Sequence, residues 1–567
     1  MIFSRFFSSG HRAATSGADW AGLAWLFLFF WFFSGLTQTL VWLSGASIFV
    51  GFRDSLFVSL IWLVPVLLLP NLTRHFTAVV GLLLWVTSLV SLIYFGIYRQ
   101  EFSQSVIFVI LETNPAEAVE YLDQYFSWHL LGGLLLYSLI ALGLWTRLRP
   151  VRLSRRGKII ALCFCLYASL GYTLLRHPGE FDRVQKRFSA AVPWQLVVGY
   201  TQYRQQLAAM QAQLAANTAL PPLANLEDTS GDAPRTLVLV IGESTSRQHM
   251  SLYGYPRPTT PELEKLRASG KLTVFSDVIA PRPYTIEVLR EALTFADQQH
   301  PELALTRPTL VNLMKQAGYK TFWITNQQTM TQRNTLLTTF SQQADEAVYL
   351  NNSRFQNSIS HDGIVRAPFR KALADAAPKK FIVIHLLGTH MKYRFRYPDT
   401  YAYFTGTDAM PPNLSPEQIE TRNSYDNAVR YHDAVLARLI QDFDAQGDTG
   451  FLLYFADHGE EVFDTPPYQT IGRNEGTPTR PMYEIPFFLW TSSHWQRLFP
   501  RDFSTLTARP YSTEHLIHTF SDLAGLRYDG YRPKASLVHP AFRPVPRLIG
   551  NPEGEQALRD FDATLPR

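Results

Sequence analysis

At 567 residues the chain is too long for one ordinary domain. Its 47% hydrophobic content hides two unlike parts, long apolar runs in the first 177 residues and ordinary globular composition after them. The net charge of +5 is small and lies largely in short loops between the apolar runs, so it reads as an orientation signal and excludes a nucleic-acid footprint. Both cysteines, Cys163 and Cys165, fall inside an apolar run, which leaves the later part without a disulfide or a thiolate metal site.

Taken in order, five stretches (about 20–44, 52–70, 76–98, 128–146 and 158–175) are each near the length that crosses a bilayer core. Any one of them alone can be read as a buried helix; five in succession predict membrane spans. The first is too long, and followed by too many others, for a cleavable signal peptide. Arg5 and Arg12 precede the first span, and Arg74 follows the second. Arg147, Arg149, Arg152, Arg155, Arg156 and Lys158 lie between the fourth and fifth. The positive-inside rule puts these segments in the cytoplasm. The loop 98–127 and everything after the fifth span then face the other side, which in a bacterium is the periplasm. That loop, QEFSQSVIFVILETNPAEAVEYLDQYF, mixes apolar and polar residues at helical spacing. It fits a plain amphipathic connector, which spacing favours, or a helix on the membrane surface.

Residues 180–215 mix Arg, Lys, Trp and Tyr and predict an interfacial helix followed by a solvated one. Leu220 to Arg235, with Pro221, Pro222, Gly231 and Pro234, reads as a linker. The expected organisation is a transmembrane domain over 1–177, an interfacial helix and linker over 178–235, and a catalytic domain over 236–567.

From Thr236 onward strand-like and helix-like runs alternate. Strands are expected at 236–242, 320–325, 381–387, 451–456 and 485–490. Helices are expected at 261–268, 284–296, 308–317, 363–375, 415–441 and 513–523. Such alternation predicts an α/β domain with a mostly parallel sheet, behind an N-terminal five-helix transmembrane domain. The run TLVLVIGE, 236–243, is the organising strand: continuously apolar, then Gly, then a carboxylate where open α/β sheets place their ligands.

Three strand ends carry chemistry: Glu243; His385 and His390 in HLLGTH; and Asp457 and His458 in ADHGEE. Singly, each reads as readily as a helix cap or a solvated loop charge. Together they offer carboxylate and imidazole ligands, a set suited to zinc and also to manganese. In APRPYTIEVLREALTF, prolines hold the chain extended before Thr285, and helical spacing follows. Thr285 is then at or near a helix N-terminus, where its hydroxyl serves as a cap. The same geometry serves a nucleophile, because the helix dipole favours a phosphate and an adjacent metal lowers the hydroxyl pKa. Arg473, Asn474 and Arg480 in IGRNEGTPTR suit acceptor phosphates or a solvated loop alike.

GESTSRQHMSLYGYPRPTTPEL, RPYTIEVLREALTFA, HLLGTHMKYRFRYP and DHGEEVFDTPPYQTIGRNE resemble the lipopolysaccharide phosphoethanolamine transferases, above all the inner-core heptose-modifying, EptC/CptA-like type. The likeness extends through RDSL, QEFSQSV and PPLAN in the earlier part, and the broader superfamily is that of alkaline phosphatases and sulfatases. The resemblance implies a zinc enzyme with Glu243, Thr285, Asp457 and His458 as metal ligands and Thr285 as nucleophile. It implies His390 near the substrate phosphate or a second metal, and Thr113 and Glu117 in substrate handling. It further implies phosphatidylethanolamine as donor, lipopolysaccharide as acceptor, and an inner-membrane protein with a periplasmic catalytic domain. Two positions depart from the pattern. Val109 replaces an asparagine four residues before Thr113, and Tyr468 stands where close relatives often have His. The competing readings are the same transfer to lipid A or a periplasmic glucan, a membrane-bound metal phosphatase or sulfatase, and a non-catalytic envelope protein. The Cys/Ser-x-Pro-x-Arg type of sulfatase motif is absent around Thr285, and the intact ligand set opposes a decayed site.

Overall fold

The computed structural model describes residues 19–44, 49–98, 127–176, 181–201, 204, 208, 220, 222–328, 339–351, 360–552 and 557–565. The described residues through Arg204 form one compact unit and those from 208 onward form another.

In the first unit five helices, Trp20–Leu43, Phe49–Leu68, Pro70–Ile97, Trp128–Thr146 and Arg155–Arg176, are long and apolar enough to cross a membrane. Three of them begin before the apolar runs do, because charged residues at their ends find partners. Arg53 bonds Asp54 at 3.0 Å, Arg74 stacks over Trp145, and the Ser154 hydroxyl caps the last helix by accepting from Gly157 N at 3.2 Å. Phe29, Phe30, Phe33, Leu63, Val66 and Leu84 fill the bundle core. The helix Phe181–Phe188 and the turn after it join this unit: Arg187 donates to Thr173 Oγ1 at 2.9 Å, and Trp194 stacks on Trp62.

The second unit is built on seven strands: β1 (Arg235–Gly242), β2 (Leu272–Phe275), β3 (Lys320–Gln328), β4 (Glu346–Asn351), β5 (Lys379–His385), β6 (Gly450–Ala456) and β7 (Phe487–Thr491). Their order is β2-β7-β6-β1-β5-β3-β4. All run in one direction except β7, which is antiparallel to both its neighbours. The sheet is therefore mixed and mostly parallel, as expected. β2 and β4 were not among the expected strands, and they are the two sheet edges. Both are short on apolar signal: β2 is four residues long, and β4, exposed over its first three residues, offers an apolar run of only four, Ala347–Leu350, less than the run that marks a strand covered on both faces.

Every residue of β1, β5 and β6 is buried. Leu237, Leu239 and Ile241 pack on one face with Val288, Leu289 and Met314 from the helices Thr285–Ala292 and Leu310–Gln316. The opposite face meets the helix Pro416–Gln446, through Phe443 against Trp490 and His432 Nε2 against Tyr454 OH at 2.8 Å. Ser415 and Gln418 close a reciprocal capping box at that helix's start, and Gly447, left-handed at φ 76°, ends it. Register is what serves function. Ile241 lies opposite His385 in β5 and Phe455 in β6, and Gly242 opposite Ala456. The residues that follow β1, β5 and β6 thus emerge side by side at the carboxyl end of the sheet.

A buried ionic clamp ties the segment after β1 to the long helix. His249 Nδ1 meets Asp426 Oδ1 at 2.6 Å, and Nε2 meets Asp464 Oδ1 at 2.9 Å. Burial opposes the imidazolium, but Asp464 and Asp426 outweigh it and raise His249 from 6.5 to about 9. The folded state therefore holds a proton that the unfolded state has lost between those values. His249 contributes about 3 kcal/mol that is fully present below pH 6.5 and lost as pH rises through about 9. In chemical denaturation the stability gap between wild type and His249→Gln is expected to narrow by that amount across this window. A gap independent of pH would contradict the clamp.

Candidate active site

Glu243 follows β1 directly, and Ser244 behind it is left-handed at φ 55°, a conformation costly for a residue with a side chain. Three contacts hold it there. Ser244 N donates to Asp457 Oδ1 at 3.0 Å, its Oγ donates to Glu243 Oε1 at 3.0 Å, and its carbonyl accepts from Tyr425 OH at 2.7 Å. The turn after β5 approaches from the other side. Gly388, left-handed at φ 58°, passes so close that a Cβ there would sit 2.5 Å from the Glu243 carbonyl oxygen and 2.7 Å from its nitrogen. Asp362 anchors this turn by accepting from Leu387 N at 2.8 Å and Gly388 N at 2.7 Å.

The structure brings Glu243, Thr285, Asp457 and His458 together. One ligand atom from each of Glu243, Asp457 and His458 lies within 4.8 Å of the others, and among the described residues this is the one such cluster. Thr285 opens the helix Thr285–Ala292. Its Oγ1 lies 3.2 and 3.1 Å from the two Glu243 carboxylate oxygens and 3.3 Å from His458 Nε2. All four are buried, and Thr285, at 4%, keeps the most exposure.

The free valences of the set point inward. His458 Nδ1–H donates to the Gly459 carbonyl at 2.9 Å, which turns the Nε2 lone pair into the cluster. Asp457 Oδ1 accepts from Ser244 N and from His458 N, the latter at 2.7 Å. Asp457 Oδ2 is buried with no hydrogen-bond partner, 3.2 Å from His458 Nε2. An orphaned carboxylate oxygen, an imidazole lone pair, a second carboxylate and a hydroxyl converging without thiolate fit a divalent cation such as zinc.

Electrostatics agree. Burial pushes the Asp457 carboxyl well above the usual range, and the neighbouring Glu243 charge adds to the effect. Burial pushes Glu243 upward too, but His458, His390 and Arg473 overcome it and hold that carboxyl well below its ordinary value. Burial, helped by Arg473, lowers His458 to about 4, so its ring is neutral and able to ligate at neutral pH. Two carboxylates that cannot both carry charge comfortably mark a centre short of positive charge.

His390 is half-buried on the turn after β5. Its Nδ1–H donates to the Met391 carbonyl at 2.7 Å, and it is among the neighbours that depress Glu243. His385, on the strand itself, is packed against Trp323 and lowered to about 4 by burial. Thr113 and Glu117 lie outside the described residues. The loop after β6 splits in role. Arg480 bonds Glu484 and stacks on Phe561, and Asn474 accepts from Gly476 N at 3.0 Å, whereas Arg473 turns into the cluster. Gln327, at the end of β3, was not singled out in the sequence. It donates to Glu243 Oε2 at 3.2 Å and to the Leu386 carbonyl at 2.7 Å. A polar residue closing a buried parallel strand was the signal available for it.

Comparison with known proteins follows the same lines. Residues 235–526 match the Sulfatase family model. The chain is 54% identical over 558 residues to phosphoethanolamine transferase EptC of Escherichia coli (strain K12), covering 97% of this chain and 96% of that protein. The second unit is similar to the crystal structure of the C-terminal periplasmic domain of Escherichia coli EptC in complex with Zn, with 60% identity and TM-score 0.60 over 61% of this chain and 98% of that one. The overall fold is similar to the integral membrane lipooligosaccharide phosphoethanolamine transferase A of Neisseria meningitidis, with TM-score 0.62 and 19% identity over 93% and 99% of the two chains. With a metal-competent cluster on a sulfatase-type sheet, and five apolar helices earlier in the sequence, the chain belongs to the sulfatase family and, within it, to the phosphoethanolamine transferases.

Proposed function

We propose that this phosphoethanolamine transferase takes its group from phosphatidylethanolamine and delivers it to lipopolysaccharide, at the inner-core heptose, through a covalent phosphoethanolamine–Thr285 intermediate. The observation that carries the reading is Thr285 Oγ1 lying within 3.3 Å of both Glu243 and His458 Nε2 at a helix N-terminus. The orphaned Asp457 Oδ2 completes a donor set for zinc, held by Glu243, Thr285, Asp457 and His458. Zinc bound there supplies Lewis acidity that lowers the hydroxyl pKa and offsets charge on the phosphoryl oxygens.

The side chains divide the remaining work. The Thr285 hydroxyl donates to Glu243, which draws on the proton that must leave. Thr285 Oγ attacks phosphorus as the bond to the diacylglycerol oxygen breaks, and that oxygen takes up a proton. His390 is assigned this proton transfer or phosphate contact on the strength of motif resemblance. The N-terminal dipole of the Thr285–Ala292 helix favours the anionic group in place. In the second half an acceptor oxygen attacks the same phosphorus, gives up its proton, and Thr285 Oγ leaves and is reprotonated. Thr113 and Glu117 are assigned to substrate handling on the strength of motif resemblance.

Both substrates are lipids, which fits a catalytic unit carried on a chain with five apolar helices. The Arg-rich loop before the fifth helix supports an orientation with residues 236–567 on the far side of the membrane, which in an inner-membrane protein is the periplasm. No nucleotide donor is at hand in that compartment, which suits a phospholipid.

The test is mass analysis of intact lipopolysaccharide and of glucan fractions from cells with and without the protein. A phosphoethanolamine gain on the inner core alone is expected. A gain on glucan or lipid A alone would move the acceptor, and release of free phosphate without transfer would make the protein a hydrolase.

A further inference from the structure

Arg473 stands on the loop after β6, with a side chain only 14% exposed. Its Nη1 lies against His458 Nε2 and 3.7 Å from Glu243 Oε1. On its other edge, Nε sits 3.3 Å from Glu460 Oε2. Glu460 is itself fully buried, and its Oε1 accepts from Tyr393 OH at 3.0 Å. The loop is tied to the nucleophile's segment, because Arg282 donates to Glu475 at 2.5 Å. This is a built position, since a solvated loop would leave its cation in water.

Nη1 of Arg473 is held by acceptors that a metal would claim. Nη1 points at His458 Nε2 and Glu243 Oε1, which belong to the donor set of the metal. An imidazole lone pair serves one partner at a time. With Nε2 on the ion, the Nη1–H group needs another acceptor within reach of Thr285. The acceptor that belongs there is a charged oxygen on the group being transferred. Arg suits this task better than Lys, because Glu460 can hold one edge of the planar fork while the other faces the phosphoryl group.

We propose that Arg473 is a catalytic residue of this transferase, donating from Nη1 to an equatorial phosphoryl oxygen in both half-reactions, with Glu460 and Tyr393 as positioning residues behind it. The proposal deepens the Thr285 reading and rests on it. Arg473 transfers no proton. It opposes the charge that gathers on phosphorus-bound oxygens as the Thr285 bond forms and later breaks. Arg473 is thus a cation built into the centre beside the metal-ligating cluster.

The experiment uses the full chain in detergent micelles with fluorescent phosphatidylethanolamine and no acceptor, and follows formation of the Thr285 adduct. Three variants are compared with wild type: Arg473→Lys, Arg473→Ala, and the double variant Arg473→Gln/Glu460→Gln, which leaves no buried charge unpaired. Zinc content and melting temperature are expected to match wild type in the Lys and double variants, while adduct formation falls about a hundredfold. Added guanidinium salt is expected to restore part of the rate to Arg473→Ala. Adduct formation within about twofold of wild type in these variants would overturn the proposal. So would loss of zinc in step with the rate, which would make Arg473 part of the metal cradle only. A wild type that forms no adduct would bring down the Thr285 reading itself, a result distinct from failure of the Arg473 variants alone.

Discussion

Replacing Thr285 with Ala is expected to reduce transfer by about 10⁴-fold or more while the protein stays folded and keeps most of its zinc. Thr285 is the first residue of its helix, and Ala is at least as good a helix former there. The substitution removes a hydroxyl and a methyl from a side chain whose neighbours, Glu243 and His458, keep their other contacts. Glu243, Asp457 and His458, the other proposed ligands, remain in place, so zinc content is expected to fall far less than the rate. Thr285→Ser is the informative partner. It keeps the oxygen but frees its rotamer, and activity is expected within about tenfold of wild type. Diacylglycerol release from fluorescent phosphatidylethanolamine, read beside zinc content, checks both variants. Equal losses in Ala and Ser would point to packing instead of nucleophilicity.

Gly388→Ala carries the second large effect, through geometry instead of chemistry. The position is left-handed at φ 58°, which alone costs an L-residue roughly 1 kcal/mol. The added Cβ would also meet the Glu243 carbonyl oxygen at 2.5 Å and its nitrogen at 2.7 Å, both backbone atoms of a residue at the end of the central strand. They cannot swing aside like a flexible side chain, so Glu243 itself must shift. A total cost of about 2–4 kcal/mol is expected, with a fall in zinc affinity and transfer together. Gly270→Ala is the control. It is left-handed at φ 73°, but nothing lies within 4 Å of its added Cβ. Only the backbone term applies there, and zinc binding is expected to be unchanged. Calorimetric zinc titration of the two variants separates the cases. Unaltered zinc affinity in Gly388→Ala would mean that the two turns are less tightly joined than their contact distances imply.

What could be read in advance followed burial. β1, β5 and β6 are covered on both faces, and their unbroken apolar runs announced them. Their next residues, Glu243 and Asp457–His458, were legible because a carboxylate or imidazole closing such a strand has few structural uses. The edges were not legible because they are short: β2 is four residues long, and β4, exposed over its first half, carries an apolar run of only four. Within the site, Arg473 and Gln327 escaped assignment for a different reason. Each acts through a long side chain reaching across space to Glu243, a direction that neither a motif nor a period in the chain reveals. Sequence spacing showed Arg473, Asn474 and Arg480 as one undivided loop. Only tertiary partners separate the arginine that faces the nucleophile from the one locked to Glu484 and Phe561. The same holds for the His249 clamp, whose carboxylates come from positions 426 and 464.

The most direct measurement is peptide mass spectrometry of the full-length, zinc-loaded protein after incubation with phosphatidylethanolamine in the absence of acceptor. A phosphoethanolamine increment is expected on the peptide containing Thr285, on that residue, and it should disappear when lipopolysaccharide is added. Transfer to lipopolysaccharide at the normal rate with Thr285 never modified, or with the increment on another side chain, would contradict it.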